Sequence, residues 1–250
     1  MMLLRLRQIV FNMAFYSTII FFCFALLPAM LLPRTAYIRC LNLFFKSVYL
    51  CEKYILGLDY EVRGLENIPK EKAFLIAAKH CSAYETFKLN LLFQDTAIIN
   101  KKELQYIPLW GWIAKRAGMI FIERGTSKGL QSLINGAKRV KAEGRPLVIF
   151  PQGTRVPVDS TAEKYPYKRG VVRVYEATEQ SILPIATNSG LFWPKGAFYI
   201  KPGKVIFECL PVIPSGLAGD DVLIRLQDSI ETASHRLVAE GRIQLNKQTR

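Results

Sequence analysis

The stretch with the most chemical potential is Lys79-His80-Cys81-Ser82-Ala83-Tyr84-Glu85-Thr86, where a histidine is followed five residues on by a carboxylate. An acid at that spacing can fold back over a turn and accept one imidazole N–H. That fixes the tautomer and makes the other nitrogen a better base. The pair can remove a proton from a hydroxyl but supplies no nucleophile of its own. Taken alone, H-x4-E also fits a capping histidine beside an ordinary surface glutamate, so other segments must decide. Cys81 raises a rival chemistry, a thiolate activated by its neighbour. Adjacent residues on a helix or strand point in different directions, so Cys81 is expected to be buried filler.

Two further segments carry cations. Phe121-Ile122-Glu123-Arg124 places a guanidinium after an apolar run, and Arg suits bidentate phosphate binding. Phe150-Pro151-Gln152-Gly153-Thr154-Arg155 combines an apolar run, a glycine turn, a hydroxyl and a second Arg. Glycine lets backbone approach a ligand, and the N–H groups of such a turn add donors for an oxyanion or phosphate. Neither G-x-x-x-x-G-K-[ST] nor G-x-G-x-x-G occurs, so nucleotide-phosphate loops are unsupported.

These residues need a scaffold. Short apolar runs of strand type lie at 73–78, 96–100, 119–122, 147–150, 182–186 and 205–210. Between them, Leu130, Leu133, Ile134, Ala137 and Val140 form one helical face after a Ser127 cap, and Leu223, Leu226, Ile230, Ala233 and Leu237 form another after Asp220. Strands alternating with helices predict an α/β domain, a mixed, largely parallel sheet flanked by helices, with its site near strand C-terminal ends. The domain is expected to span 57–250.

Residues 1–56 are expected to form a separate two-helix membrane-associating segment. No charged residue occurs from Gln8 to Pro33, and Ile9 to Leu27 reads as a helix long enough for the hydrocarbon layer. A cleaved signal peptide fits poorly, because no small-residue cleavage site follows. Basic residues on both flanks leave orientation by charge undecided. The stretch from Tyr37 to Leu56 mixes apolar residues with Arg39, Lys46 and Lys53 and reads as interfacial, so the two helices could form a hairpin within one leaflet.

The 250 residues carry a formal charge of +14, and 101–173 alone hold 15 basic against 5 acidic side chains. Such a field attracts anions, whether nucleic acid, anionic lipid or phosphorylated metabolites. Five scattered cysteines without a C-x-x-C pair argue against a disulfide framework or zinc site, and two histidines exclude a His-rich metal centre. His235 reads as a surface or packing residue. Trp110 and Trp112 read as packing or interfacial residues rather than base-stacking ones.

The ordered set His80-x4-Glu85, Lys101-x-Glu103-Leu104 with Pro108 and Gly111, Phe121-Ile122-x-Arg124, Phe150 to Arg155, and Leu183-Pro184 resembles the glycerolipid acyltransferases, most closely the 1-acylglycerol-3-phosphate acyltransferases. It covers about residues 60–215. The family's usual signature is H-x4-D, so Glu85 lengthens the acid by one methylene, and Gln152 stands where Glu is usual. By the resemblance His80 is the general base and Glu85 its orienting partner. Lys101, Arg124, Gly153, Thr154 and Arg155 would hold the substrate phosphate. The donor would be acyl-CoA or an acyl carrier protein and the acceptor lysophosphatidic acid. The site would lie at the cytoplasmic face of a membrane, the inner membrane in a bacterium, against anionic lipids, with no nucleic acid, metal or other cofactor involved. The nearest alternative keeps the chemistry but acylates another lysolipid or glycerol-3-phosphate, which a panel of acceptors would separate. A rival of another class, a non-catalytic basic membrane module or nucleic-acid binder, explains the charge but not the motifs.

Overall fold

In a computed structural model, residues 2–248 are described. Seven strands form one sheet: β1 (Leu58–Arg63), β2 (Leu75–Ala78), β3 (Ala97–Lys101), β4 (Ile120–Ile122), β5 (Leu147–Ile149), β6 (Ile182–Thr187) and β7 (Gly203–Cys209). Their spatial order is β1-β7-β6-β2-β5-β3-β4. Every neighbouring pair is parallel except β6 and β7. The expected mixed, largely parallel sheet flanked by helices is what forms.

Both sheet faces are buried, so the central strands read as unbroken apolar runs. The period of two still divides them. Leu75 and Ala77 belong to the core on one face, and Ile76 and Ala78 to the core on the other. On the first face lie α5 (Ser127–Ala142), α6 (Gly170–Thr178) and α8 (Gly219–Gln248). On the second lie α1 (Met2–Ala29), α2 (Arg34–Cys51), α3 (Tyr84–Phe93) and α4 (Trp110–Arg116). The short α7 (Ser189–Phe192) follows β6. Helix α5 is capped one residue earlier than its sequence suggests, by Thr126, whose Oγ1 accepts from Gly129 N at 2.9 Å.

The N-terminal helices share a core with the sheet. Tyr37, Leu41, Phe44, Phe45 and Val48 of α2 pack inward with Leu58, Ile76 and Phe207. Helix α2 is therefore mainly a core helix, and its charged residues mark its outer face rather than a headgroup contact along its whole girth. Helix α1 is long and apolar enough to cross a membrane, with a mean hydropathy of 2.1 over its best window. It is also tied to the domain near both ends. The buried Gln8 accepts from Ile200 N at 2.9 Å, and Arg116 donates to the carbonyls of Met30 at 3.0 Å and Leu32 at 2.7 Å. The Tyr37 hydroxyl adds a buried bond to Ile113 O at 2.8 Å.

Candidate active site

Strand β2 ends at Ala78, and His80 follows in the turn before α3. Nδ1 of His80 lies 3.3 Å from Oε2 of Glu85, in the first turn of α3. The fold-back predicted from the spacing is present. Glu85 is fully buried, whereas the His80 side chain keeps 16% of its surface exposed, so the acid is hidden and the base accessible. Glu85 also accepts from Cys81 N and Ser82 N at 3.0 Å each and from the Ser189 hydroxyl. With so many donors on it, the carboxylate cannot turn away from the imidazole. Among the described residues Nε2 of His80 has no hydrogen-bond partner.

Ser189 is the member of this cluster that sequence reasoning misses. It begins α7, just past the end of β6, and β6 pairs directly with β2. That pairing closes a gap of 104 residues between Ser189 and Glu85. Cys81 is buried, and burial pushes its thiol well above the ordinary range, which removes the thiolate alternative.

Phe150 joins the base to the cations. Its ring stacks on His80 with centroids 3.9 Å apart, and it also lines a cavity of about 310 Å³. Arg124 and Lys168 bring two cations to the cavity rim beside the Gly153 turn and the Glu123 carboxylate, which Lys102 pairs at 2.9 Å, while Ile122, Leu133, Ile149 and Val171 give it an apolar wall. Arg124 donates through Nη1 to the Gly153 carbonyl, so the two predicted segments meet. Gly153 adopts φ +69°, and a Cβ there would press on the Lys168 side chain at 3.3 Å. Glycine therefore serves both the turn and the approach of the lysine. Thr154 and Arg155 follow, half-buried, and the turn is anchored beside the base by Val156 N donating to His80 O at 2.8 Å.

Not every predicted residue reaches the cavity. Thr154, Arg155 and Lys101 are absent from its wall, and Lys101 is exposed at the end of β3, on the same sheet edge. Lys168 takes a place that sequence reasoning left vacant, just before α6. Its backbone N donates to Pro151 O at 3.0 Å. The residues before His80 and Lys168 share one anchor. Lys79 Nζ donates to both Glu231 oxygens at 2.6 and 2.7 Å, and the Tyr167 hydroxyl donates to Oε1 at 2.8 Å. Helix α8 thereby holds the base turn and the lysine loop in one register.

A buried carboxylate-steadied imidazole with a free nitrogen suits proton transfer at a hydroxyl, and an apolar cavity with cations at its rim suits an anionic amphiphile. The family model for acyltransferases matches residues 59–188, just over half of the chain. A 1-acyl-sn-glycerol-3-phosphate acyltransferase from Pseudomonas aeruginosa is 33% identical over 189 residues, covering 75% of this chain and 72% of that one. The alpha form of the same enzyme from Homo sapiens is 26% identical over 239 residues, covering 93% and 83%. The crystal structure of a 1-acyl-sn-glycerophosphate acyltransferase from Thermotoga maritima superposes with a TM-score of 0.77 at 21% identity, covering 94% of this chain and 97% of that one.

Proposed function

Since the chain belongs to the acyltransferase family, we propose that it transfers a fatty acyl group from a thioester to the free hydroxyl of 1-acylglycerol-3-phosphate, giving phosphatidic acid. The single observation carrying this reading is the contact of His80 with Glu85 beside a cation-rimmed apolar cavity. The relatives' names supply the acceptor. The donor is acyl-CoA or acyl carrier protein.

Nδ1–H of His80 donates to Glu85, so Nε2 is the base. It takes the proton of the acceptor hydroxyl as that oxygen attacks the thioester carbon. The tetrahedral intermediate then expels the thiolate, which takes the proton back from the imidazolium. A thioester has a good leaving group, so the chemistry calls for no acyl-enzyme. Base catalysis of this kind contributes about 10²–10⁴ in rate, and alignment of the two substrates contributes more. Arg124, with Arg155 and Lys101 near the same edge and the Gly153–Thr154 turn between, grips the acceptor phosphate.

Lysolipid and product both partition into bilayers. Helix α1 turns an apolar face outward while tied to the domain near both ends, which supports a hairpin lying in one leaflet, with the domain on the cytoplasmic side where soluble acyl thioesters are made. The test is product analysis by mass spectrometry with mixed donors and a panel of lysolipids. His80→Ala should abolish phosphatidic acid formation in protein that still folds and binds membranes. Undiminished transfer by that variant would end the proposal.

A further inference from the structure

A second cationic cavity lies away from Arg124. It measures about 280 Å³ and is lined by Arg5 and Arg7 of α1, by Lys201, and by Leu56, Tyr199 and Ile200. No acidic side chain lines it, and among the described residues none of its three cations is engaged in an ion pair. All three cations are exposed, so an anion at the mouth of the cavity would meet positive charge with no carboxylate to displace.

The cup is built into the fold. Gln8, the residue after Arg7, accepts from the backbone of Ile200, the residue before Lys201. That buried amide is the polar residue that opens the uncharged stretch of α1, and its one cross-chain bond clamps the two cationic segments together. Lys201 N donates to Phe192 O, and Gly203 N to Gly57 O, at 2.9 Å each, which fixes the other wall.

Its surroundings are apolar. Along α1 the outward residues Leu6, Ile9, Val10, Met13, Ile20 and Phe24 recur at helical spacing, with Leu6 56% and Met13 68% exposed. Across the cavity Tyr199 is exposed, and so is its neighbour Phe198. A soluble phosphate would use the cations alone and nucleic acid would leave the apolar strip unpaired. A lipid with an anionic head and hydrocarbon tails matches both. Strand β7 runs antiparallel to β6, so Gly203 lies at the edge where β6 and β2 end, the edge that carries His80. The Arg124 cavity lies at the same edge on the other side of β2.

The geometry points to a second phosphate site, in which Arg5, Arg7 and Lys201 hold the headgroup of an anionic bilayer phospholipid whose chains lie along α1. This sets the catalytic edge at headgroup height. The inference rests on the membrane reading of α1 but not on the reaction, so its test reads binding rather than turnover.

Full-length protein is co-sedimented with vesicles of phosphatidylcholine alone and of equal parts phosphatidylcholine and phosphatidylglycerol. Wild type should prefer the anionic vesicles, and Arg5→Gln with Arg7→Gln and Lys201→Gln should lose roughly tenfold or more of that preference. Two controls keep the test falsifiable. The charge-keeping set Arg5→Lys, Arg7→Lys and Lys201→Arg should retain it, which separates charge from misfolding. Removing three distant exposed cations, by Lys72→Gln, Lys138→Gln and Arg225→Gln, should leave most of it. Equal loss from the distant set, or no loss from the cavity set, would overturn the site, since diffuse charge would then account for binding. Release of wild type by inorganic phosphate at constant ionic strength would assign the cup to a soluble anion instead. Failure to bind either vesicle would remove the membrane reading and this inference with it.

Discussion

Gln152 occupies the position where the family resemblance leads one to expect a carboxylate, and its geometry explains the amide. Its side chain is buried, and Nε2 donates to Tyr165 O at 3.1 Å, across the loop that ends in Lys168. An ionised carboxylate has nothing to donate and would face a carbonyl oxygen. Gln152→Glu should therefore lower stability by about 1–3 kcal/mol, read by denaturant unfolding. A stabilising effect would show that the loop does not depend on this bond. Around the base, Ser189→Ala removes one of the donors holding Glu85, while Glu85→Gln removes the charge that steadies the imidazole. The second should reduce kcat by about 10²–10⁴, as loss of the orienting acid does in related dyads, and the first by far less. Equal losses would mean that Glu85 acts mainly as a packing group. The His80–Glu85 contact was legible in the sequence because it is local, five residues across one turn. Ser189, Lys168 and Glu231 were not, because only the pairing of β6 with β2 and the docking of α8 bring them near.

At the scale of elements, α3 depends on an ion pair that its own sequence obscures. Lys88 and Glu52 are both fully buried and bonded to each other, and Lys88 also lies over the Tyr84 ring at 4.3 Å. Burial pushes Glu52 up to about 7 despite the pull of Lys88, and burial pushes Lys88 down. Because the folded-state value for Glu52 lies above the unfolded one, its contribution is fully present below the ordinary carboxylate range and is lost as pH rises through about 7. Lys88→Met leaves that carboxylate alone in the core and should cost about 3–5 kcal/mol at about pH 8. The cost should shrink at about pH 6, where Glu52 is neutral. Adding Glu52→Gln should recover much of the loss. A pH-independent deficit in the single variant would show that the pair is not what docks α3 on α2. This buried lysine, with Asn90 two residues on, breaks the apolar period of Tyr84–Phe93, which hid α3 from pattern reading. Strand β1 was hidden for the opposite reason: it lies at the sheet edge, half-buried, and Leu58–Arg63 carries three charged residues in six. The unbroken apolar runs of β2, β5 and β6 announced themselves because both of their faces are buried.

For the whole molecule, the open question is which side of a membrane each end of α1 occupies. Its 28 residues span about 42 Å, longer than a hydrocarbon layer of about 30 Å. Length and hydropathy alone therefore fit a spanning helix. A spanning helix, however, leaves its domain at one end, whereas α1 meets the α/β domain near both, through Gln8 with Ile200 and through Arg116 with Met30 and Leu32. Unfastening the first contact to thread α1 across the bilayer would leave Ile200 N and the Gln8 side-chain oxygen without partners, at roughly 1–3 kcal/mol for each group. It would also uncover the apolar core beneath Phe11 and carry Arg5 and Arg7 through hydrocarbon. With the domain exposed on the outside of sealed vesicles, an N-terminal tag should thus be cut by external protease at the same rate as in detergent. Protection of the tag in intact vesicles, relieved only by detergent, would mean that α1 crosses the bilayer and that both the contacts near Gln8 and the cationic cup come apart on insertion.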